Sequence, residues 1–185
     1  MSTELLEQAI ASTHGVLVNV SKQQLGQDTP CAQWKISDVI NHLVGGQYWF
    51  AAMVNGEEVD NAAIDFSSTD FVSAFDEGTQ RTLGAFRADG VMERPLTLPF
   101  GEMPGAAFLR LAATDTFTHG WDLARATGQD TDLAPDLAAT LLTGAKQNIP
   151  PEFRNEEGNP FGPEQAAPAG ACNADKLAAF LGRRV

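Results

Sequence analysis

The sequence is poor in the residues that usually build metal and redox sites: 185 residues contain two cysteines and three histidines. Cys31 and Cys172 are far apart and form no C-x-x-C pair, which excludes a disulfide framework, a thiolate zinc knuckle and a thioredoxin-like motif. Any metal must therefore be held mainly by histidine and carboxylate. Basic residues are scarce too, with 12 Lys and Arg scattered from Lys22 to Arg184 against 24 Asp and Glu, a formal net charge of -12. Binding by phosphate neutralisation needs clustered positive charge, so nucleic acid and anionic membrane surfaces are poor partners. No apolar run reaches the roughly 18 residues of a membrane span. The opening MSTELLEQ has neither the basic region nor the apolar stretch of a signal peptide. The expectation is a cytoplasmic protein with reduced thiols.

What is present suits a globular chain: 43% apolar and 19% charged residues, and a length that fits a single domain over residues 1–185 with one core. Leu5, Leu6, Ala9, Ile10, Val16, Leu17 and Val20 approximate one apolar stripe, predicting a helix over residues 3–25 that Thr3 caps and Gly26 ends. A second helix is expected from Ile36 to Val54, stopped by a left-handed cap at Asn55-Gly56. A third runs from Asp70 to Ala88. The Pro- and Gly-rich residues 89–105 read as a crossover with a short extended piece at Leu96 to Leu98. Helices from Ala106 to Thr127 and from Ala134 to Asn148 follow, then an irregular stretch over 149–172 and a short helix from Ala174 to Leu181. The catalogue predicts an all-α bundle.

One anomaly stands out. At about 100° per residue, Phe108, Leu111, Ala112, Leu123 and Ala126 share a stripe with Asp115, His119 and Asp122. Charge on a core-facing stripe is costly unless it is paired or bound to metal. Asp115 and His119 are four residues apart, so their side chains meet on adjacent turns. They can share an ion, as in helical HExxH motifs, or form a buried Asp–His contact without one. His42 flanks the apolar stripe of the second helix, with Gly46 leaving room one turn on. Two helices could thus bring His42, Asp115 and His119 to one interior point, or His42 could simply bond a backbone carbonyl.

Asp122 could orient a ligating imidazole or pair along the helix with Arg125 or Arg110, and Arg125 could contact an anionic substrate group. His14 has no partner at i±3 or i±4 and reads as a surface or packing histidine. Cys31 and Cys172 read as ordinary small residues, and Trp34, Trp49 and Trp121 as core or pocket walls.

The strings TPCAQWKISDVINHLVGG (29–46), DTFTHGWDLARATGQ (115–129) and FGPEQAAPAGACNADKLAAFLGR (161–183) resemble the actinobacterial branch of the DinB-like superfamily. That branch includes the N-terminal domain of mycothiol-dependent maleylpyruvate isomerase and single-domain metal-binding relatives. The resemblance implies a DinB-like four-helix bundle with additional short C-terminal helices. It also implies a divalent metal on His42, Asp115 and His119, where the isomerase pattern has Glu in place of Asp115. Two histidines and a carboxylate leave a coordination position open. Zinc is the first choice, and nickel, iron and manganese fit the same ligand types.

The function implied is a thiol-dependent, mycothiol-type isomerase or S-transferase acting on a small electrophile, with a low-molecular-weight thiol as cosubstrate. The absence of the isomerase's further C-terminal domain leaves the substrate open. Homodimerisation is compatible with the resemblance. Two other classes remain: a non-catalytic metal- or small-molecule-binding bundle, and a structural helical domain with an empty polar cluster.

Overall fold

The structure, a computed structural model, describes residues 2–31, 33–59, 64–154 and 161–185. Its helices are α1 (Glu4–Leu17), α2 (Ile36–Asn55), α3 (Phe71–Phe86), α4 (Gly105–Thr127), α5 (Pro135–Asn148) and α6 (Asn173–Phe180). A hairpin of β1 (Pro95–Leu98) and β2 (Gly101–Pro104) joins α3 to α4. In the bundle, α1 packs on α4, α2 on both α3 and α4, and α5 on α6. This is the all-α, DinB-like bundle with extra C-terminal helices that the sequence predicts. No helix among the described residues is long and apolar enough to cross a membrane.

Local chemistry sets the helix ends. At the start of α2, Asp38 Oδ2 accepts the backbone N–H of Lys35 at 2.8 Å, and at the start of α3, Asp70 Oδ1 accepts that of Ser73 at 3.2 Å. Helices α2 and α4 stop at Gly56 and Gly128, whose φ angles of 72° and 71° are the left-handed C-caps glycine permits.

The first predicted helix is too long. It ends at Leu17, and only a separate 3-10 turn, Lys22–Gln24, follows. The cause lies in its last carbonyls. That of Gly15 accepts Asn19 Nδ2 at 2.8 Å, while those of Val16 and Leu17 accept the amides of Asn19 and Val20 in tight i to i−3 bonds. Nor does the Thr3 side chain cap α1; its hydroxyl donates to Glu7 Oε1 instead.

The crossover also holds more order than expected. Leu96 and Leu98 are buried, but β2 is mostly exposed and carries no alternating apolar signal from which a partner strand could be read. Residues 155–160, within the predicted irregular stretch, lie outside the described residues.

Helix α4 is more central than an amphipathic stripe suggests, since every residue from Thr116 to Ala124 is buried. Thr13 of α1 donates to the Thr116 carbonyl at 2.9 Å, and Gln47 Nε2 of α2 donates to Thr116 Oγ1 at 3.0 Å. From α3, Thr82 Oγ1 donates to the Gln47 carbonyl at 2.6 Å. These bonds tie all four helices together beside Asp115. Gly120 permits the α1–α4 approach, because a Cβ there would lie 2.4 Å from Thr13 Oγ1. Trp121, Phe108, Phe50 and Phe86 fill one part of the core, and Ile36, Val39, Ile40, Leu43, Phe75 and Leu123 the other.

Candidate metal centre

Helix α2 carries His42 on the face it turns to α4, and α4 carries Asp115, His119 and Asp122 on successive turns. His42 Nε2 lies 3.1 and 3.2 Å from the two Asp115 oxygens, and His119 Nε2 lies 3.6 Å from Asp115 Oδ1. The two imidazole centroids are 4.6 Å apart, edge to face. Both histidines thus present Nε2 to one carboxylate, and the three ligating atoms fall within 4.8 Å of one another.

The residues fit a small divalent ion. Ligands about 2 Å from a tetrahedral centre are roughly 3.3 Å from each other, which is the spacing of this N/O set. The chemistry of the donors, two imidazoles and a carboxylate, is that of a site with an open position. The back of the His119 ring fits as well. Its buried Nδ1 lies 3.0 Å from Asp122 Oδ2, outside hydrogen-bond alignment in this ring orientation but with that carboxylate beside it.

Exposure is graded across the cluster. The side chain of Asp122 is 0% exposed and that of His119 8%, against 26% for Asp115 and 37% for His42. Solvent therefore reaches the centre from the His42 and Asp115 side.

Charge is balanced locally. Burial disfavours the charged form of His42, but the adjacent Asp115 carboxylate outweighs it and raises the histidine's pKa above its ordinary value. Burial would likewise raise Asp115; the charge and hydrogen bond of His42, with His119 and Arg183 beyond, instead hold it at about 2. Asp122 is kept ionised against its burial by Arg183 and His119.

Asp122 does not pair along its own helix. Its oxygens accept Nε and Nη2 of Arg183 at 3.3 and 3.1 Å, whereas Arg125 and Arg110 are exposed. Two neighbours of the cluster escape the sequence reading of the site, and a third, Trp34, is the pocket wall that reading allows. Arg183 arrives from beyond α6. Cys31, in the segment before α2, has its sulfur within 4.8 Å of ligating atoms of His119 and Asp122. Burial pushes its thiol up to about 11, with Arg183 opposing and the two aspartates adding to the rise, so it is a neutral thiol. Trp34 stacks on His119 with centroids 5.4 Å apart and lies 5.0 Å from His42. The only signal for Cys31 and Trp34 was their place in the TPCAQWK string, because loop residues carry no periodicity. His14, read as a surface or packing histidine without a partner on its own helix, faces Asp76 of α3 at 3.4 Å.

The fold and site define a class: a DinB-like helical bundle whose interior holds a His/Cys/Asp cluster able to coordinate a metal. Residues 6–124 match the family described as mycothiol maleylpyruvate isomerase N-terminal domain, and the chain belongs to that family. Two relatives from Mycobacterium tuberculosis agree along nearly the whole chain: the uncharacterized proteins MT0763 (strain CDC 1551 / Oshkosh) and Rv0738 (strain ATCC 25618 / H37Rv). Each is 41% identical over 174 residues, covering 92% of this chain and 91% of the relative. Among solved structures, the fold is similar to that of a mycothiol-dependent maleylpyruvate isomerase, with a TM-score of 0.62 over 83% of this chain and 68% of that one. A histidine-to-alanine mutant of such an enzyme gives 0.63 over 88% and 72%; identity is 16% in both cases.

Proposed function

We propose that this protein binds a divalent cation, zinc first, at His42, Asp115 and His119, and uses it with a low-molecular-weight thiol of the mycothiol type. The reaction is isomerisation or S-transfer on a small electrophilic substrate. One observation carries the reading: two imidazole Nε2 atoms converge on one carboxylate at 3.1–3.6 Å, at the solvent-facing end of a buried cluster. When bound, the ion supplies Lewis acidity and an open position at which a thiol gives up its proton more readily.

The chain's own residues do the rest. Asp115 brings a negative charge between the histidines and keeps both rings turned inward. His42 and Asp115, the more exposed members, border the path by which a small molecule arrives. Trp34 forms an apolar wall beside both rings and keeps bulk water off that side. Membership of the family and likeness of fold to a mycothiol-dependent isomerase support the thiol and the reaction class.

The test is metal analysis of protein purified without chelator, followed by titration with zinc and nickel. Stoichiometric binding that is lost in His42→Ala and His119→Ala is expected. A protein that neither retains nor takes up metal would sink the proposal and leave a structural bundle. A panel of electrophiles incubated with a small thiol then separates an enzyme from a non-catalytic binding module: turnover must need thiol, metal and His42 together.

A further inference from the structure

Arg183 is nine-tenths buried, and nothing in the proposed reaction uses it directly. A guanidinium out of water is costly unless its donors are satisfied, and here they are. Nε and Nη2 grip the two oxygens of Asp122 at 3.3 and 3.1 Å, Nη1 donates to the Leu181 carbonyl at 3.1 Å, and Nη2 lies 3.8 Å from the Cys31 sulfur. The guanidinium thereby joins α4 to the segment before α2 and to the chain end.

The backbone is shaped for this contact. Gly182, with φ of 94°, turns the chain after α6 while the Arg183 amide donates to the Ala178 carbonyl at 2.9 Å. A Cβ on Gly182 would lie 2.6 Å from Gly162 Cα, so both the angle and the space demand glycine. Local geometry, packing and charge therefore converge on delivering one cation to the carboxylate behind His119.

We infer that Arg183 is a positioning residue of the metal centre, acting through Asp122: it pins the carboxylate that holds the Nδ1 side of His119 and so leaves Nε2 as the ligating lone pair. The residues after α6 are then part of the site rather than a loose end. The inference rests on the metal reading above for its effect on affinity. Its effect on the His119 tautomer can be measured without metal. A carboxylate held by two charge-assisted bonds cannot swing toward the ring or away from it, so the ring's orientation is inherited from the tail.

Arg183→Met keeps the apolar stem and removes the guanidinium. Zinc affinity, read by competition with a chromogenic chelator, should fall 10–100-fold while the helical circular dichroism is kept. In the metal-free protein, the long-range nitrogen–proton NMR pattern of His119 should change from one Nδ1–H tautomer to a mixture. In an Asp122→Asn background the same change should cost no further affinity, and Arg183→Lys should restore part of it. Gly182→Ala, which keeps the guanidinium but displaces the turn, should weaken binding in the same direction.

Wild-type affinity and an unchanged tautomer in Arg183→Met would overturn the inference, leaving Arg183 as an anchor of the chain end. If that variant does not fold, the same wild-type pair of results in both Arg183→Lys and Gly182→Ala overturns it. If the parent protein binds no zinc, the metal reading fails. The tautomer pattern of the metal-free variants then supports or overturns the role of Arg183 by itself.

Discussion

Replacing Asp115 by Asn should change the pH dependence of stability in opposite ways with and without metal. In the metal-free protein the carboxylate is held at about 2, against roughly 3.9 in an unfolded chain. That depression corresponds to about 2.6 kcal/mol of stabilisation. Its sign is fixed by linkage: it is present above the unfolded value and lost as pH falls from about 4 toward 2. His42 is raised, so its share of the same ion pair is complete below its unfolded value and lost as pH rises through the folded one. The pair thus stabilises the metal-free protein across the mildly acidic range and fades on both sides.

If the proposed site binds zinc, the ion should reverse the alkaline limb, because it needs His42 deprotonated and competes with its proton. A hundredfold excess over the dissociation constant adds about 2.7 kcal/mol, growing as pH rises through the histidine's range. Urea unfolding at a series of pH values, with chelator and with zinc, measures both. Asp115→Asn should lack the wild-type excess stability above pH 4, and with it the fall between pH 4 and 2, and should lose most of the zinc effect. Parallel wild-type and variant curves in chelator would refute the ion-pair reasoning; a zinc effect that ignores pH would refute competition at His42.

Trp34→Phe should remove most of the fluorescence change on adding nickel or copper, since Trp34 is the indole against both histidines; an unaltered quench would assign it to another tryptophan. Gly120→Ala should cost about 1–3 kcal/mol in thermal unfolding, because its Cβ meets Thr13 and forces α1 off α4, and a wild-type melting temperature would show that the interface yields freely. Trp121→Phe leaves Asp175 without the indole N–H it accepts at 2.9 Å, and should lower the urea midpoint by an amount equivalent to about 1 kcal/mol with α6 affected first in hydrogen exchange. At neutral pH, Cys31 should react with a thiol-disulfide reagent far more slowly than an unperturbed thiol; fast labelling would contradict its burial and raised pKa.

The helix ends that were legible in the sequence are those set by local rules. Gly56 and Gly128 close their helices in the left-handed region without reference to anything distant. The end of α1 is hidden in the sequence because the apolar stripe runs on through Val20, which is buried beyond the helix, while the bonds around Asn19 stop the helix at Leu17. The β1–β2 hairpin was half seen, since only one of its strands buries alternate residues.

The candidate site divides along the same line. Asp115, His119 and Asp122 share a face because α-helical geometry puts residues three and four apart side by side, whatever surrounds the helix. That much, and the scarcity of histidine that singles out His42, is a property of the sequence. The contact between His42 and Asp115, 73 residues apart, exists because α2 packs on α4 in a register held by Gln47 and Thr116. The pairing of Asp122 with Arg183 spans 61 residues, and that of Arg183 with Cys31 spans 152. No periodicity encodes such pairs, since they form only when packing brings distant side chains together and burial makes an unpaired charge costly. Sequence determined the glycine-capped helices and the carboxylate–histidine face; tertiary packing alone decided which helix, which loop and which residues after α6 complete it.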